Sequence, residues 1–151
     1  MNIPPSPAAF AFARWCVLTH ARPVLVTALR AWGFAQEASA LEKAASTGAL
    51  RPLALDALQA VRRTRRFQPA RRDLMGALSA LNASATFAGR GDTENAAAMA
   101  VGVVVGARSA LAWRRPWQHF RWRERRAAII HAAQQEQSSH KDSGIFSSDL
   151  V

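Results

Sequence analysis

The longest apolar run of the chain, AAAMAVGVVVGARSALAW over 96–113, admits only Arg108 as a charge and Ser109 as a polar side chain. Its length predicts one helix, about 93–113, apolar on every side, and such a helix belongs in the middle of a bundle or in a membrane. Val101 and Val103 to Val105 are β-branched, so VGVVVG taken alone also reads as a short buried strand. The flanking alanines favour helix, and no partner strand is evident elsewhere. Ala98, Gly102, Gly106 and Ala110 recur at four-residue steps and predict a ridge on one side of the helix. Each interior glycine costs about 1 kcal/mol relative to alanine. Close approach of a neighbouring backbone is the usual offset, and Gly102 is the position where a large side chain is expected to overpack.

Around that helix the spacing of apolar and polar positions predicts further helices. Leu74, Leu78, Leu81, Ala85 and Ala88 alternate steps of four and three, the apolar seam of a helix over about 70–88. Gly89-Arg90-Gly91 is a turn and Asp92 or Thr93 a cap, so the two helices form an antiparallel hairpin. Toward the amino terminus, Ser6-Pro7 opens a helix that runs to about Ala21. Pro23 is expected to end it and to open a second helix, to Trp32, before Gly33. A third covers about 34–45, and a fourth starts at Pro52 with Leu53, Ala54, Ala57, Leu58 and Val61 inward. Pro116 opens the last, about 117–137, whose apolar residues fall on two sides: Trp117, Phe120 and Ala127 against Trp122, Ile129 and Ala133. The pattern as a whole predicts an all-α fold, a single-domain bundle of five to seven helices over 1–137. A polar, serine-rich tail, 138–151, is expected to be disordered.

Composition changes this picture mainly through charge. The chain of 151 residues carries a net charge of +10. Six arginines lie in 62–72 and six more in 114–126, against the single acid Glu124, so the rest of the chain is close to neutral. Cys16 is the only cysteine, which excludes an internal disulfide and fits a reducing compartment. The opening MNIPPSPAAFAFARW has three prolines and no basic residue before Arg14, a poor export signal. A cytoplasmic protein is expected.

The first basic segment, Arg62, Arg63, Arg65 and Arg66 followed by Arg71 and Arg72, straddles the end of one helix and the start of the next. Arginines in a last turn complement the helix dipole, but Arg71 and Arg72 at a helix start gain nothing from it. That asymmetry favours an anionic ligand. The second segment, WRRPWQHFRWRERR, interleaves Arg114, Arg115, Arg121, Arg123 and Arg125 with Trp117 and Trp122. Exposed aromatics among cations suit the stacking of single-stranded nucleic acid. The alternative is that the tryptophans anchor the helix while guanidinium groups cover their faces.

These features predict a non-enzymatic binding protein whose two arginine segments engage an anionic partner, foremost nucleic acid. A protein-protein module, an adaptor, antitoxin or immunity-type partner using the Trp/Arg helix, is the alternative. Association with a membrane surface comes third, since a basic, Trp-rich amphipathic helix can lie among lipid headgroups. Arg108 speaks against a membrane span. Cys16 and His20 share a helix face, but two ligands do not make a metal site. Acids and histidines show no convergent spacing, so neither an enzyme, a cofactor nor a metal is expected.

Overall fold

The computed structural model describes residues 3–66, 68–114 and 126–136. The chain divides into two compact units, Met1–Arg114 and Arg115–Val151. The first contains α1 (Pro7–Trp15), a π-helical segment (Cys16–Ala21), α2 (Arg22–Ala31), α3 (Ala35–Lys43), α4 (Thr47–Arg63), α5 (Gln68–Gly89) and α6 (Thr93–Ala112). There is no strand among the described residues, and Val101 to Val105 are helical. In the second unit, 126–136 is helical and mostly exposed, Ile129 and Ile130 included. Residues 115–125 and 138–151 lie outside the described residues, and with them the start of the expected last helix and the expected disordered tail.

The hairpin of α5 and α6 is the platform on which the first unit is built. Asp92 caps α6 by accepting from the Asn95 amide at 3.2 Å, and Gly91 makes the turn with φ +71°. A β-carbon there would lie 2.5 Å from Pro5, so the turn needs glycine for space as well as conformation. Leu74, Leu78, Leu81, Ala85 and Ala88 are all buried, as their spacing predicts. The Ser84 hydroxyl, fully buried, donates to the Ala96 carbonyl at 2.7 Å. Further along, the Ser109 hydroxyl donates to Asp73 Oδ2 at 2.5 Å.

α6 meets α5, α2, the π segment and α1, yet it is not enclosed on every side. Ala96, Ala100, Val103, Ala107 and Ala110 are buried, whereas Val101 is 57% and Val105 62% exposed. The small-residue ridge explains part of this. Four residues turn a helix by about 40° beyond one revolution, so an i, i+4 row winds around the axis. Ala98 and Gly102 therefore stand in solvent, Gly106 is half-buried and Ala110 is in the core. Only Gly106 makes the close approach: a β-carbon there would lie 3.0 Å from both the Ala77 β-carbon and the Asp73 carbonyl oxygen. At Gly102 the nearest atom, Ala80 Cβ, would be at 3.6 Å, an ordinary contact. The expectation that Gly102 is the crowded position is corrected accordingly.

Two prolines do not act as the stops that their residue type suggests. Helical structure runs unbroken from Pro7 to Ala31, passing Pro23 by way of the π segment. In an α-helix the Pro23 ring would collide with the Thr19 carbonyl four residues back. The wider π turn, in which the Arg22 amide donates to the Val17 carbonyl, relieves that collision. α4 begins at Thr47 rather than Pro52, because Ser46 caps it by accepting from the Ala49 amide at 3.1 Å. Leu50, wholly buried, fixes that first turn in the core.

Candidate functional site

Three helix ends and one helix start converge at one pole of the first unit. Antiparallel pairing sets the start of α5 beside the end of α6, as the Asp73–Ser109 hydrogen bond marks. The end of α4 adjoins the same place through the short connection 64–67. The end of α2 is joined to it as well: Trp32 Nε1 donates to the Ala110 carbonyl at 2.8 Å, and Arg114 Nε donates to the Ala31 carbonyl at 2.6 Å.

The first arginine segment lies at this pole. Arg62 and Arg63 occupy the last turn of α4, Arg65 and Arg66 the connection, and Arg71 and Arg72 the first turns of α5. Arg62, Arg63, Arg65, Arg66 and Arg72 are exposed. Among the described residues none of them is paired with a carboxylate, whereas Arg30 and Glu42 do form an ion pair, at 2.5 Å. Asp73, the acid nearest in sequence, is tied to Ser109 instead. The first turn of α5 contains no acid that would answer its positive end. Arg71 differs from the others. It is half-buried, its Nη1 donates to Gln68 Oε1 at 3.4 Å, and its Nε is buried without an acceptor among the described residues.

Arg114, the first arginine of the second segment, shares this pole but has a task of its own. Beyond its bond to the Ala31 carbonyl, its guanidinium sits 5.8 Å from the centre of the Trp32 ring. This is a cation–aromatic contact with a tryptophan from elsewhere in the chain, and not one of those expected within the second segment, whose Trp117 and Trp122 lie outside the described residues. Nothing in the sequence pairs Trp32 with a residue 82 positions away, so that contact is invisible before folding. Arg115, Trp117, Arg121, Trp122, Arg123 and Arg125 lie outside the described residues.

The remaining candidates resolve into structural parts. Cys16 is buried, and burial pushes its thiol pKa up, which makes it an inert core group. His20 is exposed and stacks on Trp15 at 5.6 Å rather than facing Cys16 as a ligand. No group of three metal-ligating side chains occurs among the described residues. α6 is long and apolar enough to cross a membrane, with mean hydropathy 1.4, and a third of that stretch is buried within the protein.

Compared with protein-family models, curated proteins and solved structures, the chain matches none of them.

Proposed function

We propose that the chain is a non-enzymatic binding protein whose arginine pole engages a polyanion, foremost nucleic acid. The observation that carries this reading is the group Arg62, Arg63, Arg65, Arg66 and Arg72, exposed at one pole without carboxylate partners among the described residues. The ends of α2, α4 and α6 can balance part of that charge through their dipoles. The start of α5 cannot, and Arg72 stands there in excess. Clustered guanidinium groups of this kind bind phosphates and release counterions. By sequence, Arg115, Arg121, Arg123 and Arg125 would add phosphate contacts, and Trp117 and Trp122 would stack on bases.

The test is binding of labelled duplex and single-stranded oligonucleotides at a series of salt concentrations. If about eight phosphates are neutralised, the log-log slope for duplex DNA is near −7. Arg65 and Arg66 lie in the connection outside any helix. Replacing both with glutamine is therefore expected to spare the fold and to reduce the slope by about 2. Binding that hardly changes between about 50 and 200 mM salt would refute the reading.

A second reading, a partner protein, is favoured by one observation: the exposed apolar strip of Val101 and Val105 on α6. It predicts that protein purified without nuclease carries no nucleic acid, visible in its absorbance ratio at 260 and 280 nm. It also predicts a defined acidic protein partner whose affinity falls when Val101 and Val105 are made polar.

A further inference from the structure

At the other end of α2, away from the arginine pole, a cleft of about 370 Å³ opens between the π segment and the end of α3. Arg14, Trp15, Leu18, Thr19, Arg22 and Ala45 are among the residues that line it. The volume lies toward the small end of the range for ligand sites. The π segment shapes this wall. It inserts an extra residue per turn, and such insertions are found frequently at functional sites.

The charge in the cleft is of one sign. Chain positions before Glu37 contain no acid, and neither Arg14 nor Arg22 is paired with a carboxylate among the described residues. Arg22 Nη1 donates to the Ala44 carbonyl at 2.5 Å and to the Leu41 carbonyl at 3.3 Å. Arg14 Nη2 reaches the Ala45 carbonyl at 3.4 Å. These bonds close the end of α3, whose dipole answers about half a charge. Two full guanidinium charges share the cleft with it, and most of their donors have no partner among the described residues. Trp15 has neighbours on its ring, Phe12 at 6.2 Å and His20 at 5.6 Å, so the indole is braced by its own helix. Leu18 and the alanines supply apolar wall, and Thr19 supplies a hydroxyl.

We infer that this cleft binds a small anion, a carboxylate or phosphate group on a short apolar body, between the guanidinium groups of Arg14 and Arg22. The excess positive charge selects the anion, the fork geometry of arginine suits both oxyanions, and the cleft leaves room beside them for a small apolar body. The site is independent of the nucleic-acid reading.

The experiment follows backbone amide and arginine side-chain NMR shifts during titration with sodium phosphate and, separately, sodium isobutyrate, each against sodium chloride at equal ionic strength. Saturable shifts centred on Arg14, Thr19, Arg22 and Ala45 are expected. Arg14→Gln should weaken the affinity about tenfold, the loss of one charge-assisted contact. Arg51→Gln, on the exposed side of α4, should leave it unchanged. Arg22 also closes α3, so the long-bonded Arg14 carries the test. Saturation by phosphate alone assigns a phosphate monoester, by isobutyrate alone a carboxylate, and either supports the site. Shifts that stay linear with both anions, or that saturate equally in Arg14→Gln, overturn it. Shifts confined to Arg62, Arg66 and Arg72 also overturn it while leaving the arginine pole in place.

Discussion

Gly102 and Gly106 stand one turn apart on α6 and play opposite parts. Gly106 lets the α5 backbone approach, with Asp73 and Ala77 at contact distance of any added methyl, whereas Gly102 has room beside Ala80. Gly102→Ala is therefore expected to stabilise by about 0.5–1 kcal/mol through helix propensity alone. Gly106→Ala is expected to fall below the parent protein, the two variants differing by about 1–3 kcal/mol in chemical denaturation. Equal stabilisation by both would mean that neither glycine is a packing position. The four-residue recurrence of small residues was legible in the sequence, but the winding of that row out of solvent into the core was not. It depends on where α5 lies. Asp92 gives a second residue-level expectation. The Asn95 side chain and then its amide, both donating to the carboxylate, hold its pKa below the ordinary value near 4. A folded-state pKa that is lowered stabilises above the unfolded value and loses that stabilisation as pH falls. Melting temperature should thus drop from about pH 5 to about pH 3 more steeply in the parent protein than in Asp92→Asn, which keeps a capping oxygen without titrating. Identical acid limbs would show that the cap contributes nothing through its charge.

Elements were legible where the chain carries both a start and a stop. α5 and α6 have a seam, a glycine turn and an Asp cap, and their bounds fall within a few residues of expectation. Proline was the less reliable sign: α2 starts beside Pro23 as expected, but the break expected before it is missing and α4 starts five residues ahead of Pro52, since the cost of keeping a proline within helical structure is invisible locally. At Pro23 the π segment absorbs that cost, and at Pro52 burial of Leu50 and the Ser46 cap outweigh it. Pro52 is exposed and deprives α4 of an amide that would donate to the Gly48 carbonyl. Pro52→Ala is accordingly expected to stabilise by about 1–3 kcal/mol, raising the denaturation midpoint with an unchanged slope. A destabilised variant would mean that the ring itself packs on a neighbour. Candidate residues were legible in the same uneven way. The exposure of Arg62, Arg65 and Arg66 follows from local charge density, whereas the capture of Arg114 by Trp32 and the end of α2 depends on long-range packing. The cleft beside Arg14 and Arg22 was not legible at all, because a π turn has no sequence signature comparable to a cap.

For the molecule as a whole, α6 is amphipathic in exposure without being amphipathic in composition. One side is core, with Val103 and Ala107 inaccessible, and the other presents Val101, Val105 and the exposed Arg108 to solvent. Val105→Lys is expected to change the melting temperature little, while Val103→Lys, which puts an unpaired charge in the interior, should leave no cooperative unfolding transition. Comparable melting curves for both variants would contradict the orientation of the helix. The hairpin of α5 and α6 has a further consequence, which concerns the order in which the protein is made. Leu25 and Leu29 of α2 emerge from the ribosome before the hairpin surface that shelters them exists, for α6 ends only at Ala112. At roughly 5–20 residues per second, the early helices wait some seconds for that shelter, a window in which a holding chaperone would find its substrate.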